Sequence, residues 1–301
     1  MIKLFNSLQY KYDTYTIFSD FVELSALSIN SAVEIIKRSE DEKRYKQIQN
    51  KYPNKDFKIC PELFAELVDE LDDEYVYKAV SEPEIPIEQK SLDMAKVLSS
   101  LHTKTVYFKD ISADKIKEIY ENIVSNITYL EGYYETLFNN LEIKEVLLPS
   151  EQVILEGRSK IKSLTEFLTN EAENWYNLAS TKTKERVVYC HNNLSIDHFI
   201  DNKFISWDHY TVDTPILDLI NLYHNDFGKY NYSNFLSKYL KSFELLEEEK
   251  HLLFLMLSFP IELKLGKNEM ENTINASKVF DYINETEKLI RPYYSVENKE
   301  E

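Results

Sequence analysis

Residues 187–219 constrain the fold more than any other stretch. They read Val187-Val188-Tyr189-Cys190-His191-Asn192-Asn193-Leu194-Ser195-Ile196-Asp197-His198-Phe199-Ile200, then Phe204-Ile205-Ser206-Trp207-Asp208, then Asp213-Thr214-Pro215-Ile216-Leu217-Asp218-Leu219. Two strand-prone runs, Arg186 to Cys190 and Phe199 to Trp207, bracket a loop crowded with His, Asn and Asp. Pro215 suits a helix start, and Asp218 falls where a carboxylate favours the free N–H groups of a first turn. Long helical patterns lie on both sides, so the chain must join a mostly helical body to a few short strands.

A chain of 301 residues with 43% apolar content can bury a large core in one or two domains. No apolar run reaches the ~20 residues of a membrane span. The start, Met1-Ile2-Lys3-Leu4-Phe5-Asn6, lacks a signal-type apolar core, so a cytoplasmic protein is expected. Two cysteines, Cys60 and Cys190, are too few for a disulfide scaffold, and Cys190 reads as a small buried residue. The net charge of −17 argues against nucleic-acid binding, which needs clustered Lys and Arg facing phosphate. It fits solubility, a small cationic ligand or a basic protein partner. Acidic runs at Glu62–Glu74 and Glu244–Glu249 read as solvated faces.

Strands are expected at Tyr15–Phe18, Ala32–Ile36, Phe64–Val68 and Tyr75–Val80, the last two joined by the acidic turn Leu71-Asp72-Asp73. Asp41–Tyr52 reads as helix. Pro83 and Pro86 place a hinge over residues 81–86. After it, Gln89–Leu101 carries Leu92, Ala95, Leu98 and Leu101 at helical spacing. Asp114–Leu141, Glu151–Ser180, Phe235–Leu257 and Ile274–Ile290 read as further long helical stretches. The expectation is an N-terminal part over residues 1–80 and a helical part over residues 81–301.

The motif stretch resembles the catalytic half of the aminoglycoside phosphotransferase / choline kinase-type small-molecule kinases. There the chain reads His-x-Asp-Leu-x-x-x-Asn, then Ile-Asp-Trp-Glu, then Gly-Asp-Pro-x-x-Asp-Leu. Leu98-Ser99-Ser100-Leu101-His102 is similar to the family's Leu-x-x-Leu-His helix end. The resemblance implies an α+β, protein-kinase-like bilobal fold: a small sheet-containing lobe, then a larger helical lobe holding the loop at 187–208. Leu257-Ser258-Phe259-Pro260-Ile261-Glu262 resembles the degenerate kinase-like proteins of bacterial spore coats. Carried over position by position, the resemblance puts Asn193 where the catalytic Asp stands. It puts His198 at the metal-ligand Asn and Ser206 at the metal-ligand Asp. His191, Trp207, Asp213 and Asp218 fall on framework positions, His191 as the brace of the loop and Asp218 as an Asp that also steadies it. Lys37 is placed like the phosphate-pairing Lys, although a lone Lys at a strand end is the commoner reading.

Phosphoryl transfer needs an oriented nucleophile, Mg²⁺ and a held triphosphate. Asn193 accepts a hydrogen bond but takes no proton at neutral pH. A hydroxyl at 206 and an imidazole at 198 replace the hard oxygen anions that Mg²⁺ prefers. The first glycine is Gly132, so the N-terminal part has no Gly-rich phosphate loop. Asp197 and Asp208 are the two nearby acids able to compensate. Asp208 would share a face with Ser206 if the second strand of a hairpin runs on through both.

Two functions follow. The first is a catalytically impaired kinase-like protein with a binding or assembly role, such as a spore-coat component, needing no cofactor. The alternative is a divergent phosphotransferase using ATP with Mg²⁺ or Mn²⁺ on a hydroxyl, with Asp208, alone or with His198, at the metal and the base either absent or replaced by Asp197. A Zn²⁺ or Mn²⁺ hydrolase built from His191, His198, His209 and His224 lacks the helical two-His spacing. The 22 tyrosines and 16 phenylalanines read chiefly as core, with a cation held against aromatic faces as the sharper idea.

Overall fold

Three short strands form the first sheet: β1 (Val33–Lys37), β2 (Glu66–Leu71) and β3 (Glu74–Lys78). The computed structural model describes residues 33–37, 66–71, 74–78, 85–200, 202–204 and 207–294, with the backbone alone for the three strands and Asp208. The strand order is β1-β3-β2, both pairings antiparallel. Val33 faces Lys78 and Leu71 faces Glu74, with the register shifting between Leu67 and Asp69. These are the strands expected near residues 32–36, 64–68 and 75–80. The strand expected at Tyr15–Phe18, the helix at Asp41–Tyr52 and the boundary at residue 80 lie outside the described residues.

The remainder is mostly helical, and the protein is α+β. Its elements are α1 (Ile87–Thr105), β4 (Tyr107–Asp110), α2 (Ala113–Glu142), α3 (Pro149–Glu156), α4 (Arg158–Ala179) and β5 (Lys184–Cys190). The two-residue strands β6 (Phe199–Ile200) and β7 (Lys203–Phe204) follow, then β8 (Thr211–Asp213). The chain closes with α5 (Ile216–Asn225), α6 (Tyr232–Leu240), α7 (Glu247–Ser258) and α8 (Glu269–Tyr294). Small sheet first, helical body after, is the element order the resemblance implies. Among the described residues no helix is long and apolar enough to cross a membrane.

The chain divides into two compact units that interleave in sequence. One holds residues 1–106 and 187–243, the other residues 107–186 and 244–301. In the first unit α1 packs on α6, and its buried stripe Met94, Ala95, Leu98, Leu101, His102 and Thr105 recurs at helical spacing. β5 pairs antiparallel with β8, Val188 opposite Asp213 and Cys190 opposite Thr211.

In the second unit α4 packs against α2 and α7, and α8 packs against α3. The helical stretch expected over 151–180 is two helices. They break at Gly157, where a Cβ would collide with the Phe280 ring of α8. The stretch expected over 235–257 is also two helices. A new helix begins at Glu247, opened by Leu246 N–H donating to Glu249 Oε2 at 2.9 Å. In the acidic run 244–249, Glu244 and Glu247 are exposed as expected, and Glu249 is the exception. It is buried, receives Arg186 Nε at 2.9 Å and pairs with the same guanidinium through Nη2. A buried carboxylate needs such a partner.

Candidate functional site

The loop after β5 hangs on a single carboxylate. Asp218, fully buried in the first turn of α5, accepts His191 N–H at Oδ2 and Asn192 N–H at Oδ1, both at 2.8 Å. His102, at the end of α1, reaches the same Oδ2 with Nε2 at 3.3 Å, and its Nδ1 lies 2.6 Å from the Tyr239 hydroxyl. An ionised carboxylate only accepts, so Nε2 carries the proton, and a neutral ring takes its second bond from the tyrosine. Asp218 steadies the loop, the role the resemblance implies for it, by accepting the two backbone amides of His191 and Asn192.

Asn192 has φ of 60°, the left-handed region that Asn tolerates better than most residues. Its side-chain amide donates to His209 O at 2.9 Å, tying the loop to the 3₁₀ turn Trp207–His209. Asp226 anchors the other end of the loop. This buried carboxylate accepts Ser195 Oγ–H at 2.8 Å and Ile196 N–H at 2.6 Å, while Asn225 donates to Leu194 O at 2.7 Å. Lys229, one turn on, binds both Asp226 at 2.9 Å and Asp197 at 3.0 Å. Burial lowers the Lys229 ammonium's pKa, but the two carboxylates outweigh it and hold the group above the usual lysine range.

His191 is fully buried, its ring stacked on His198 and tilted against Trp207. Trp207 is buried and donates its indole N–H to Phe204 O at 2.9 Å. Asn193 is half-buried, and its backbone carbonyl lies 2.6 Å from His198 Nδ1. His198 is therefore a buried ring with one nitrogen committed to the loop backbone. Asp197 is exposed and ion-paired with Lys229. Asp213 sits on β8, buried, and accepts Thr214 N–H at 2.7 Å. Lys37 ends β1, and Ser206 lies outside the described residues.

One geometric premise fails. Trp207–His209 coil as a 3₁₀ turn, so Asp208 does not lie on a continuation of the β7 strand. Among the described donors at this loop, neither His198 nor Asp197 is a ready ligand for Mg²⁺. His198 is a nitrogen donor already engaged, and Asp197 is neutralised by a lysine.

His102, Cys190 and Asp218 bring ligand atoms within 4.8 Å of one another, all buried. Their atoms are mutually occupied: the Cys190 thiol donates to Thr214 O at 3.3 Å, and Asp218 already holds two amides and His102. Burial, reinforced by the charges of Asp218 and Asp213, pushes that thiol well up. The trio is a packed polar knot. Sequence reading missed His102, Tyr239 and Ser195 as loop supports. Lys229 three residues after Asp226 was the one local signal available.

No protein-family model matches the sequence, and no curated protein matches it. Solved structures do. The chain is similar to an aminoglycoside phosphotransferase from Alicyclobacillus acidocaldarius, at 11% identity and TM-score 0.48 over 86% of each chain. It is also similar to choline kinase LicA from Streptococcus pneumoniae, at 13% identity and TM-score 0.35 over 88% of each chain. A third is macrolide 2'-phosphotransferase MphH from Brachybacterium faecium, at 11% identity and TM-score 0.36, over 86% of this chain and 83% of the other.

Proposed function

We propose that this chain is a catalytically impaired protein of the aminoglycoside/choline phosphotransferase type that acts by binding, as an assembly component of the spore-coat kind. The observation that carries this reading is the disposition of the loop's polar groups. Asp218 and Asp226 are consumed as anchors, Asp197 is paired with Lys229, and His198 is buried with Nδ1 on the loop carbonyl. Asn193, at the base position, brings no proton acceptor. The framework is braced while the described groups that would move a proton or hold a cation are absent or spent. Binding selects for that combination, since it needs a rigid loop and no base.

A thermal-shift titration with ATP, alone and with Mg²⁺ or Mn²⁺, tests the reading. A nucleotide that binds should stabilise the fold by about 2.7 kcal/mol at a hundredfold excess over Kd. The proposal expects no metal-dependent shift. A metal-dependent shift that disappears in Asp208→Ala would overturn it in favour of an active phosphotransferase using that carboxylate.

A further inference from the structure

The outer face of α2 is built like a helix-docking surface. Tyr129, Gly132, Tyr133, Thr136, Leu137 and Asn140 recur at the spacing of one helical stripe and line an open groove of about 490 Å³. This stripe is separate from the buried one, Ile116, Ile119, Ile123, Ile127, Tyr134, Phe138 and Leu141, that seats α2 in its own unit. Tyr129 remains three-quarters exposed.

Gly132 is the sharpest feature. Glycine weakens a helix interior, and the chain has only four. Gly157 is explained by Phe280 pressed against it, whereas a Cβ at Gly132 would meet nothing within 4 Å. Nothing among the described residues requires the missing side chain, so the notch between Tyr129, Tyr133 and Thr136 serves an approach from outside. Small residues at such a point let another helix come close, with its side chains set into the groove as ridges.

The charge around the groove selects the occupant. From Glu118 to Glu142 the helix carries five glutamates and no Lys or Arg. Glu131 and Glu135 flank the notch with no ion-pair partner among the described residues. Partial burial raises the Tyr133 phenol, and Tyr129 and the nearby Glu262 charge push the same way. A second copy of this chain would bring the same glutamates to the contact and be repelled.

We propose that the Tyr129–Asn140 face of α2 binds an amphipathic helix of a basic partner protein, an apolar side chain entering the notch at Gly132 and flanking Lys or Arg meeting Glu131 and Glu135. This deepens the proposed binding role, and its failure leaves the nucleotide result untouched. The probe is a fluorescein-labelled Leu/Lys amphipathic peptide of about five turns, titrated into the full chain by anisotropy. Saturable binding that weakens with salt is expected, with a Leu/Glu peptide of the same pattern inactive. Gly132→Leu, which fills the notch without changing charge, should weaken binding at least about tenfold, and Tyr129→Ala comparably. Equal affinity in Gly132→Leu, binding of the Leu/Glu peptide, or no saturable binding overturns the proposal. So does concentration-dependent dimerisation that Gly132→Leu abolishes. Unchanged circular dichroism of each variant confirms its fold.

Discussion

Replacing Asp218 by asparagine removes one negative charge and one acceptor oxygen from the point where the loop is held. The carboxylate accepts two backbone N–H groups at 2.8 Å and His102 at 3.3 Å, all without solvent. An amide oxygen can face only one of the two loop amides, and the new NH₂ then meets the other donor head-on. Leaving one buried N–H unmatched costs about 1–3 kcal/mol, and the lost charge-assisted bonds bring the total to about 2–4 kcal/mol. Urea unfolding followed by fluorescence and circular dichroism reads the loss. If the two units unfold separately, the transition that moves must be that of the unit holding 187–243. His102→Ala should cost less in the Asp218→Asn background than in the native chain, because the two share one network. A loss under about 1 kcal/mol, the range of an ordinary surface change, would refute the account of Asp218 as the loop's anchor.

Burial would raise the Glu171 carboxyl, but hydrogen bonds from His251, Tyr294 and Asn174 with the His251 charge outweigh it and hold the group below the usual range. Its stabilising contribution is then full above the ordinary glutamate value of 4.5 and is lost as pH falls below it, so Glu171→Gln should flatten the acid limb of a stability–pH curve. Cys190, buried with its thiol pushed up, should resist a disulfide-exchange reagent in native Cys60→Ser protein and react once in urea. Gly132, inside α2, and Gly157, between α3 and α4, should respond with opposite signs in melting experiments. Gly132→Ala gains roughly 0.5–1 kcal/mol because the site is open and helical. Gly157→Ala loses about 1–3 kcal/mol as its Cβ drives into Phe280.

Local periodicity made the helices legible, because α1 and α2 each repeat a buried apolar stripe at helical spacing. Boundaries set by distant residues were not legible. Gly157 is a break only because Phe280, more than a hundred residues on, occupies its space. Glu249 reads as one more surface acid until Arg186 is seen to reach it. The loop's chemistry followed a similar divide. The replacements at Asn193 and His198 are visible in the chain itself, since residue type alone decides what can take a proton. The resemblance implies that Asp218 steadies the loop, but its own support was hidden: Asp218 meets His102, and His102 meets Tyr239, each across more than a hundred residues of sequence. The reasoning about Asp208 failed because period-two alternation holds only along a strand, and the chain turns at Trp207.

The most direct test of the central claim is ADP release from ATP by the purified chain in the presence of Mg²⁺ and then Mn²⁺, with choline and an aminoglycoside as hydroxyl acceptors. A loop whose described acids are committed and whose base position is Asn193 predicts no ADP above the protein-free blank with either metal. Metal-dependent ADP release that is abolished in Asp208→Ala would contradict the account and identify a working phosphotransferase.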